Sequence, residues 1–576
     1  MKTNKKQTKL LCTGAEYIIR FLEHKGIQTI AGIPGGANLP LYDALHRSNI
    51  RHILVRHEQA AGFIAQGIAR TTGKTAVCFA TSGPGATNLI TAIADAHLDS
   101  IPVVAITGQV ATHLIGTDAF QEIDTYGLSL PITKHNYLIN HIDELADKLS
   151  NAFCIAGQGR PGPVWIDVPK NIFLELHEFP HPSCFDTESD SNPHTSIAPK
   201  DIERLKRALH SSKRPIIIAG GGVRHPESKA AILRLMHKQQ IPLVHTLRGY
   251  GIIDSDHPEN LGMIGMHGHH RANQAVEAAD LILALGIRFD DRATGNIQRF
   301  APHATIVHID QDASELNKRK PAHIPLNYDL KLFLPAMASA STQQNRTEWL
   351  QTIEQIKLAY PHLEERTRLP MNHPLSYIKQ ISDSSDSDCI VTTDVGQHQM
   401  WVAQAFGFHA HQHFLTSGGL GTMGFGLPTA IGAALANPDK TVYCFTGDGS
   451  MLMNIQELGT LAETNANVII FLFDNQTLGL VYQQQTLFYN AQHCASTYSI
   501  QTNFIQIAHG FGLQAIQCLT QDELSNILSD WFKKRGPLLI HIPTNRAFQV
   551  LPMVTPGGSN TEMIVYPLTQ NQYENN

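Results

Sequence analysis

Two polar residues that follow apolar runs have the types and spacing of a metal site. Asp448 stands between Gly447 and Gly449 directly after the run TVYCFT, and Asn475 follows the run NVIIFLFD, 27 residues later. Because neighbouring parallel strands end at one sheet edge, we expect the two side chains to lie close together. A carboxylate and an amide oxygen suit Mg²⁺, and flanking glycines let a diphosphate approach the backbone. The alternative is a plain Asp-Gly turn, which the strand–GDG–strand–Asn spacing makes the weaker interpretation.

Glu58 is a second candidate, because it shares a helical stripe with small apolar residues. On a helix that begins near Glu58, the same face carries Ala61, Gly62, Ala65, Ile68 and Ala69. A desolvated carboxyl tends to keep its proton, and it can then hydrogen-bond to a ring nitrogen or exchange the proton with it. The alternative interpretation is a first-turn glutamate that the helix dipole favours.

The glycine-rich stretch TSGGLGTMGFGLPTAIGAAL, residues 416–435, ends in a helical pattern. Its glycines allow the backbone to lie directly against a flat ligand. Met423 is a bulky side chain within this loop, and taken alone the pattern favours an ordinary core-filling role for it. A second unusual stretch, DNQTLGLVYQQQTLFY at 474–489, places three consecutive glutamines beside apolar residues.

Positioning such residues requires sheets whose strands end together. Short β-branched runs alternate with helical patterns in three blocks, residues 10–175, 196–338 and 372–555. Continuous apolar strands that end in glycine or an acid and lead into helices are typical of parallel sheets covered on both faces. We therefore predict an α/β fold with three doubly wound parallel-sheet domains. Low-order polar stretches at 181–196 and 339–372 are expected to separate them.

The composition favours small-molecule chemistry. The 576 residues carry a formal net charge of −6, which excludes a strong electrostatic footprint for nucleic acid or an anionic membrane. Only 16% of the residues are charged, and this favours an oligomer that buries part of its surface. The eight cysteines lack CxxC spacing and fit a reduced, cytoplasmic protein. We expect no signal peptide and no membrane span.

Together these motifs resemble the thiamine diphosphate enzymes, and more narrowly the large, catalytic subunit of acetohydroxyacid synthase (acetolactate synthase). The resemblance covers nearly the whole chain. It is carried, in order, by RHEQAAGFIAQGIAR, TSGPGATN, GTDAFQEID, GRPGPVWIDVPK, GMHG, RFDDRATG and GDGSMLMNIQEL. It implies an N-terminal pyrimidine-binding domain (10–175), a central FAD-binding domain (196–338) and a C-terminal diphosphate- and magnesium-binding domain (372–555).

The resemblance also implies the reaction: pyruvate is decarboxylated on thiamine diphosphate, and the remaining two-carbon unit is joined to a second pyruvate or to 2-ketobutyrate. Glu58 matches the glutamate that bonds to the pyrimidine ring, and Met423 matches the residue that keeps the cofactor bent. The Mg²⁺ ligands match Asp448, Asn475 and the carbonyl of Thr477. Asp474 departs from the usual Asn-Asn pattern. The matching diphosphate-side positions are Gln397, His398, Gly421, Gly447, Gly449 and Ser450.

The middle block resembles the FAD-binding domain of this family. Its strand IIIAGGG ends in Gly220, Gly221 and Gly222, a weak signal that a mere turn would also explain, and a second strand ends at Asp310. The other positions carried over are Arg160, Thr246, Leu247, Arg288 and Asp290. The flavin is expected to be structural, since the net reaction transfers no electrons.

Substrate contacts follow from the same resemblance. Arg292 matches the arginine that binds the carboxylate of the second ketoacid. The charged residues of RFDDR also fit solvent-exposed ion pairs between side chains on neighbouring helical turns. Gln121, Phe120, Lys170 and Met266 match positions around the pocket and channel. Gln484 stands where tryptophan is usual in the family. Glutamine takes this place in the bacterial isozyme I type, which the stretch also resembles. The expected consequence is weak discrimination between pyruvate and 2-ketobutyrate as acceptors.

Several alternatives stay open at this point. A pyruvate oxidase shares the three domains and FAD, but GTDAFQEID, GMHG and the C-terminal VLPMVTPGGSNTEM favour the synthase. Glyoxylate carboligase lacks the equivalent of Glu58. A catalytically silent binding protein predicts damage to the set formed by Glu58, Asp448 and Asn475, which is intact. Family membership also implies active sites shared between subunits of a homodimer or larger oligomer, and a small regulatory subunit.

Overall fold

The computed structural model describes residues 9–186, 196–223, 225–361, 369–531 and 534–565. Most of the predicted polar stretch at 181–196, and residues 362–368 of the second one, lie outside the described residues. The described chain contains three sheets of six strands each, and every pairing within these sheets is parallel. The predicted α/β class with three doubly wound parallel sheets is confirmed.

The N-terminal sheet has the strand order β3-β2-β4-β5-β7-β6, and a separate antiparallel pair, β1-β8, joins the two ends of this part of the chain. Its strands are β1 Lys9–Thr13, β2 Thr29–Gly32, β3 Arg51–Leu54, β4 Ala76–Ala80, β5 Val103–Gln109, β6 His135–Leu138, β7 Val164–Pro169 and β8 Leu176–Pro180. Its helices are α1 Gly14–His24, α2 Leu39–His46, α3 Glu58–Thr72, α4 Pro84–Leu98, α5 Thr125–Ser129, α6 Leu145–Gly157 and α7 Lys170–Leu174.

The central sheet has the order β11-β10-β9-β12-β13-β14. Its strands are β9 Pro215–Ala219, β10 Leu243–His245, β11 Asn260–Met263, β12 Leu281–Leu285, β13 Thr305–Asp310 and β14 Ile324–Asn327. The helices around it are α8 Pro199–Ser211, α9 Pro226–Gln239, α10 His270–Ala278, α11 Asp291–Thr294, α12 Leu330–Ala340 and α13 Thr347–Ala359.

The C-terminal sheet has the order β16-β15-β17-β18-β20-β19. Its strands are β15 Ile390–Thr393, β16 His413–Leu415, β17 Val442–Gly447, β18 Val468–Asp474, β19 Gln514–Gln517 and β20 Leu538–Pro543, with a final antiparallel pair β21 Met553–Val554 and β22 Met563–Ile564. The helices are α14 Pro374–Ser384, α15 Gln397–Ala405, α16 Gly426–Ala436, α17 Asp448–Met453, α18 Glu457–Thr464, α19 Gly479–Phe488, α20 Phe504–Gly510 and α21 Gln521–Trp531.

Counted within their own sheets, the N-terminal and C-terminal domains follow the same strand sequence, 2-1-3-4-6-5, whereas the central sheet follows 3-2-1-4-5-6. The latter is the order of dinucleotide-binding folds, in which a ligand lies beyond the carboxyl ends of the strands where the order reverses. In the central sheet this point lies between β9 and β12. The C-terminal sheet has its own reversal between β15 and β17.

The first and third domains of the same chain pack through two helices rich in small residues. Gly67 of α3 lies against the backbone of Thr429 in α16, and Gly432 of α16 lies against the backbone of Ile64 in α3. A side chain at either glycine would collide with main-chain atoms of the other helix, so this close approach requires glycine at both positions. The contact joins the N-terminal and C-terminal domains within one chain.

The polar zone at 339–372 was predicted to have little order, and this prediction was wrong for its middle part. Residues Thr347–Ala359 form α13, whose Trp349 and Ile353 are buried against the central sheet. Trp349 also donates its Nε1 hydrogen to the carbonyl of Pro215 at 2.9 Å. Trp349, Ile353 and Ile356 are spaced four and three residues apart, so they form one apolar face that packs on the core of the central domain.

In the described part of the chain, no helix has the length and apolar character that crossing a membrane requires.

Candidate active site

A cavity of about 240 Å³ lies at the carboxyl ends of β15, β17 and β18. The register of β17 and β18 aligns Gly447 with Phe473, so Asp448 and Asn475 follow neighbouring strand ends. The cavity is lined by ten of the positions identified from the sequence, namely Gln397, His398, Gly421, Met423, Gly447, Asp448, Gly449, Ser450, Asn475 and Thr477. The fold thus brings the predicted diphosphate and metal positions together.

Asp448 has the properties of a cation ligand. Its side chain is buried, and its Oδ2 has no hydrogen-bond partner among the described residues. Burial, together with the neighbouring charge of Asp474, raises the pKa of the Asp448 carboxyl to about 7. A buried carboxylate oxygen without a partner is costly unless an ion or ligand completes it, so Asp448 fits an Mg²⁺ ligand.

His398 leaves a second polar atom open to the same cavity. Its Nε2 is buried without a partner, and burial lowers the pKa of the imidazole to about 3. The ring is therefore neutral and can donate or accept one hydrogen bond. A neutral imidazole can donate a hydrogen bond to a diphosphate without repelling it, which fits the predicted diphosphate-side position of His398.

The turn after β18 presents Asn475. Its Oδ1 accepts hydrogen bonds from the Thr477 backbone nitrogen at 3.1 Å and from the Thr477 hydroxyl at 2.8 Å. The residue between them, Gln476, has φ +56°, a left-handed conformation that a non-glycine residue adopts at some cost. Asp474 supports this turn, because its Oδ1 accepts from the Gln476 nitrogen and its Oδ2 from Nε2 of His541.

One of the three consecutive glutamines has a role that the sequence did not reveal. Gln483 is buried, and its Oε1 accepts hydrogen bonds from Gln397 at 3.0 Å and from the Val550 nitrogen at 2.8 Å. Gln397 in turn accepts from Nδ2 of Asn475 at 3.0 Å. The only available signal was the amide itself, since a buried amide on a mostly apolar helix must find polar partners.

A larger cleft of about 580 Å³ separates the central domain from the other two. Eight of the predicted flavin positions line it, and three of the predicted substrate positions lie around its mouth. These are Arg160, Gly221, Gly222, Thr246, Leu247, Arg288, Asp290 and Asp310, with Met266, Arg292 and Gln484. The cleft lies at the strand-order reversal of the central sheet, where a dinucleotide is expected.

Several of these side chains have defined partners. Arg160 lies 2.7 Å from Glu315 and 3.1 Å from Asp312, and Arg288 donates to the carbonyl of Leu98 at 2.8 Å. Asp290 caps α11 by accepting from the Ala293 nitrogen. A site with two arginines and several close-packed glycines is compatible with a nucleotide phosphate.

Gly220 differs from the other two glycines of its run, because it does not line the cleft. Its backbone nitrogen donates to the carbonyl of Leu285, and a side chain there would collide with Gly286. Gly286, which sequence reasoning did not single out, lines the cleft and packs against Gly222. At the end of β13, burial raises the pKa of the Asp310 carboxyl to about 6.

The substrate-side residues lie at the cleft mouth. Arg292 is largely exposed, its Nη1 is 3.3 Å from the sulfur of Met266, and its nearest acidic group is Asp291 at 3.8 Å. Gln484 is exposed on α19 and borders the same cleft. The guanidinium of Arg292 and the amide of Gln484 therefore border the same opening of the central cleft.

The remaining predicted residues lie elsewhere on the N-terminal domain. Glu58 begins α3, is buried, and accepts a hydrogen bond from Nδ2 of Asn88 at 2.9 Å. Gly83 packs on the backbone of Gln121, while Phe120 is 88% exposed and Lys170 is exposed at the start of α7. None of Glu58, Gln121, Phe120 and Lys170 lines either of the two cavities.

Comparison with protein-family models accounts for most of the chain. Residues 12–128 match the thiamine pyrophosphate enzyme N-terminal TPP-binding domain, residues 202–337 the central domain, and residues 394–542 the C-terminal TPP-binding domain. The large subunit of acetolactate synthase isozyme 1 from Escherichia coli K12 is 49% identical over 553 residues, which cover 96% of this chain and 97% of that protein. This chain belongs to the acetolactate synthase large-subunit family.

Other members of the acetolactate synthase family agree over the same span. The isozyme 2 large subunit of E. coli K12 is 44% identical across 96% of this chain and 99% of that protein. The large subunit from Lactococcus lactis is 41% identical across 98% of both. The predicted family, its thiamine diphosphate dependence and the resemblance to the isozyme I type are confirmed. The oxidase alternative is not favoured.

Proposed function

We propose that this acetolactate synthase chain joins two pyruvate molecules to acetolactate, and pyruvate with 2-ketobutyrate to acetohydroxybutyrate. This is the first common step of valine, leucine and isoleucine biosynthesis. The observation that carries the proposal is the cavity at the ends of β17 and β18. There the partnerless carboxylate oxygen of Asp448 lies beside Asn475 in a chain that matches the TPP-binding domains.

The lining of this one cavity would supply the ligands of both the metal and the diphosphate. Asp448, the side-chain oxygen of Asn475 and the carbonyl of Thr477 would hold Mg²⁺, which prefers such oxygen ligands. The backbone around Gly447, Gly449 and Ser450 would lie against the diphosphate, with Gln397, His398 and Gly421 on the facing wall. Open space at Gly421, where no atom lies within 4 Å of an added Cβ, leaves room for this ligand.

Thiamine diphosphate, when bound, stabilises negative charge on the carbonyl carbon of a 2-ketoacid, which permits loss of CO₂ and the new carbon–carbon bond. The half-buried side chain of Met423 borders the cavity and would support the bent form of the cofactor. Glu58 would hold and exchange a proton with the pyrimidine ring, while Asn88 keeps its carboxylate in one orientation.

Glu58 does not line the metal cavity of its own chain, which supports an active site shared between subunits. The N-terminal domain exposes large apolar side chains, among them Phe120, the neighbour of Gln121 in the sequence, and Leu130, and the C-terminal domain exposes Ile500. Exposed apolar surface of this kind is typical of protein–protein contacts. We infer a homodimer or larger oligomer in which Glu58, Gln121 and Phe120 of one subunit meet Asp448 of another.

Substrate recognition is assigned to the cleft mouth. Arg292 would pair with the carboxylate of the second ketoacid, since its side chain is exposed, borders the cleft, and lies 3.8 Å from its nearest acidic group. Met266 and Lys170 would line the pocket and its entrance. Gln484 would take the position next to the acceptor side chain and give little preference for an ethyl over a methyl group.

FAD is assigned to the central cleft. The protein backbone at Gly221, Gly222 and Thr246 would lie close to the diphosphate of FAD. Asp310, at the end of β13, would bind hydroxyl groups of the cofactor. The same proposal includes Gly220, Leu247, Arg160, Arg288 and Asp290 at this site, with Gly220 acting through strand-end packing. The domain boundaries 10–175, 196–338 and 372–555, a small regulatory subunit and a cytoplasmic location also belong to this proposal.

The test is a colorimetric acetoin assay on purified protein with pyruvate, thiamine diphosphate, Mg²⁺ and FAD. Acetolactate formation that requires thiamine diphosphate and Mg²⁺ is the expected result. Bleaching of the flavin by pyruvate under anaerobic conditions, without acetolactate, would instead assign an oxidase. Cofactor binding without any turnover would assign a catalytically silent protein.

A further inference from the structure

The loop at residues 416–423 forms a wall between the two cavities. Ser417, Gly418 and Gly419 line the central cleft, Met423 lines the diphosphate cavity, and Gly421 borders both. The position of this short loop therefore determines the shape of two binding sites at once. Glycine-rich backbone has many conformations in the unbound chain, so something must hold it.

A set of four charged side chains, three of them buried, contacts the loop or its anchoring residues. Arg70 of α3 is 2.7 Å from Asp99 and 3.4 Å from Asp95, and all three side chains are almost fully buried. Arg248 of the central domain reaches Asp99 from the other side at 3.2 Å. Two cations and two carboxylates balance, which makes burial of the group tolerable.

The two carboxylates bind the loop itself. Asp95 accepts hydrogen bonds at Oδ2 from the hydroxyl of Ser417 and, at 3.0 Å, from that of Thr422. Ser417 in turn fixes the loop backbone, because its hydroxyl oxygen accepts hydrogen bonds from the backbone nitrogens of Gly421 and Thr422, both at 2.9 Å.

Asp99 and Arg70 hold the start of the loop. The backbone nitrogen of Gly418 donates to Asp99 at 3.2 Å, and Arg70 donates to the carbonyl of Thr416 at 3.2 Å. Although burial alone would raise it, Arg248 and Arg70 hold the pKa of the Asp99 carboxyl at about 2, so Asp99 is ionised. Charge-assisted hydrogen bonds of this kind are stronger than neutral ones.

We propose that Asp95 and Asp99, with Arg70 and Arg248, are positioning residues that hold the 416–423 loop against both cofactor sites. Residues from all three domains contribute, so the arrangement of the domains is transmitted to the loop that carries Met423. The inference rests on the proposed function, because it takes the two cavities as the thiamine diphosphate and FAD sites.

The decisive variant is Asp95→Asn, which keeps the shape of the side chain and removes its charge. We expect thiamine diphosphate, added with Mg²⁺ to the purified full-length protein, to bind about tenfold more weakly. Binding can be followed by quenching of tryptophan fluorescence, because Trp401 borders the diphosphate cavity. The matched control is Asp167→Asn, another buried aspartate that contacts Thr107 and Gln109 instead of the loop, and its affinity should be unchanged.

A double-mutant cycle separates positioning from general loss of stability. Ser417→Ala should weaken binding by a similar factor, and the double variant Asp95→Asn with Ser417→Ala should be only slightly worse than either one, since both break the same support. Independent effects that multiply to about a hundredfold would overturn the proposal. If Asp95→Asn does not fold, Thr422→Val removes one contact and should weaken binding about threefold.

The outcomes distinguish this inference from the proposed function. Wild-type protein that neither binds thiamine diphosphate nor forms acetolactate would remove the proposed function. Wild-type protein that does both, combined with an Asp95→Asn variant that binds within twofold of wild type, would overturn the positioning role alone.

Discussion

Gln397 donates a hydrogen bond from Nε2 to Oε1 of Gln483 at 3.0 Å. On its other side, Gln397 accepts from Asn475, and Gln483 bonds to both the nitrogen and the carbonyl of Val550. The proposed metal-ligand turn is thereby connected, through two buried amides, to the segment that follows β20. This relay explains why an amide stands at position 483 of an otherwise apolar helix face.

The relay predicts that Gln483→Met weakens Mg²⁺ binding. Methionine keeps the volume but removes one acceptor of Gln397 and leaves the Val550 nitrogen and carbonyl unpaired, which costs about 1 to 3 kcal/mol and loosens the Asn475 turn. We expect about a fivefold lower Mg²⁺ affinity in a titration at saturating thiamine diphosphate. Gln485→Met is the control, because Gln485 bonds to Cys494 and Ser496 instead. Equal affinities of the two variants would contradict the relay.

Glu58→Gln tests the proposed proton exchange. Glutamine keeps an oxygen that can accept from Asn88, so α3 should fold as before, but it cannot share a proton with the cofactor ring. We expect acetolactate formation to fall by about a hundredfold or more, while thiamine diphosphate still binds. The measurements are the acetoin assay and the fluorescence titration on the same preparation. Turnover at the wild-type rate would refute the assignment of Glu58.

Gln484→Trp tests the origin of acceptor preference. A large apolar side chain at the cleft mouth should favour the extra methylene of 2-ketobutyrate by about 1 to 3 kcal/mol, a preference of tenfold or more in competition with pyruvate. The wild-type protein should show less than tenfold preference. Tyr482→Trp is the control, since Tyr482 stacks on His493 at 3.8 Å and does not border the cleft. A strong 2-ketobutyrate preference in the wild type would contradict the role of Gln484.

Asp167 predicts a pH dependence of folding stability. Burial raises the pKa of its carboxyl from 3.8 to about 7, although Thr107 and Gln109 donate hydrogen bonds to it. Between about pH 4 and pH 7 the folded chain therefore keeps a proton that the unfolded chain has released. The stabilisation is complete below the unfolded pKa and is lost as the pH rises through the folded one.

The Asp167→Asn variant isolates this contribution. The free energy of unfolding of the wild type should fall, relative to the variant, by up to about 1.4 kcal/mol for each pH unit across that window. Urea denaturation of both proteins at pH 5, 6 and 7 measures the difference, and the comparison cancels every other titrating group. Parallel pH profiles of the two proteins would show that Asp167 titrates at its ordinary pKa.

Local patterns in the sequence determined the fold class and much of the candidate site. The runs TVYCFT and NVIIFLFD are each followed within two residues by a residue of the proposed metal site, because a buried parallel strand must be continuously apolar and ligands lie beyond its carboxyl end. The helical stripe of small residues correctly predicted that Glu58 is buried. Helix α13 was missed, since its apolar face of Trp349, Ile353 and Ile356 is short and lies in a stretch rich in Gln, Thr and charged residues.

Tertiary structure alone decided which residues meet. Glu58 and Asp448, which the family resemblance assigns to one active site shared between subunits, do not line the same cavity within a single chain. Asp95, Asp99 and Gln483 carry no motif, and their partners lie tens to hundreds of residues away in the chain. Periodicity and spacing describe one segment at a time, whereas buried charges and amides are paired by whichever segments the fold brings against them.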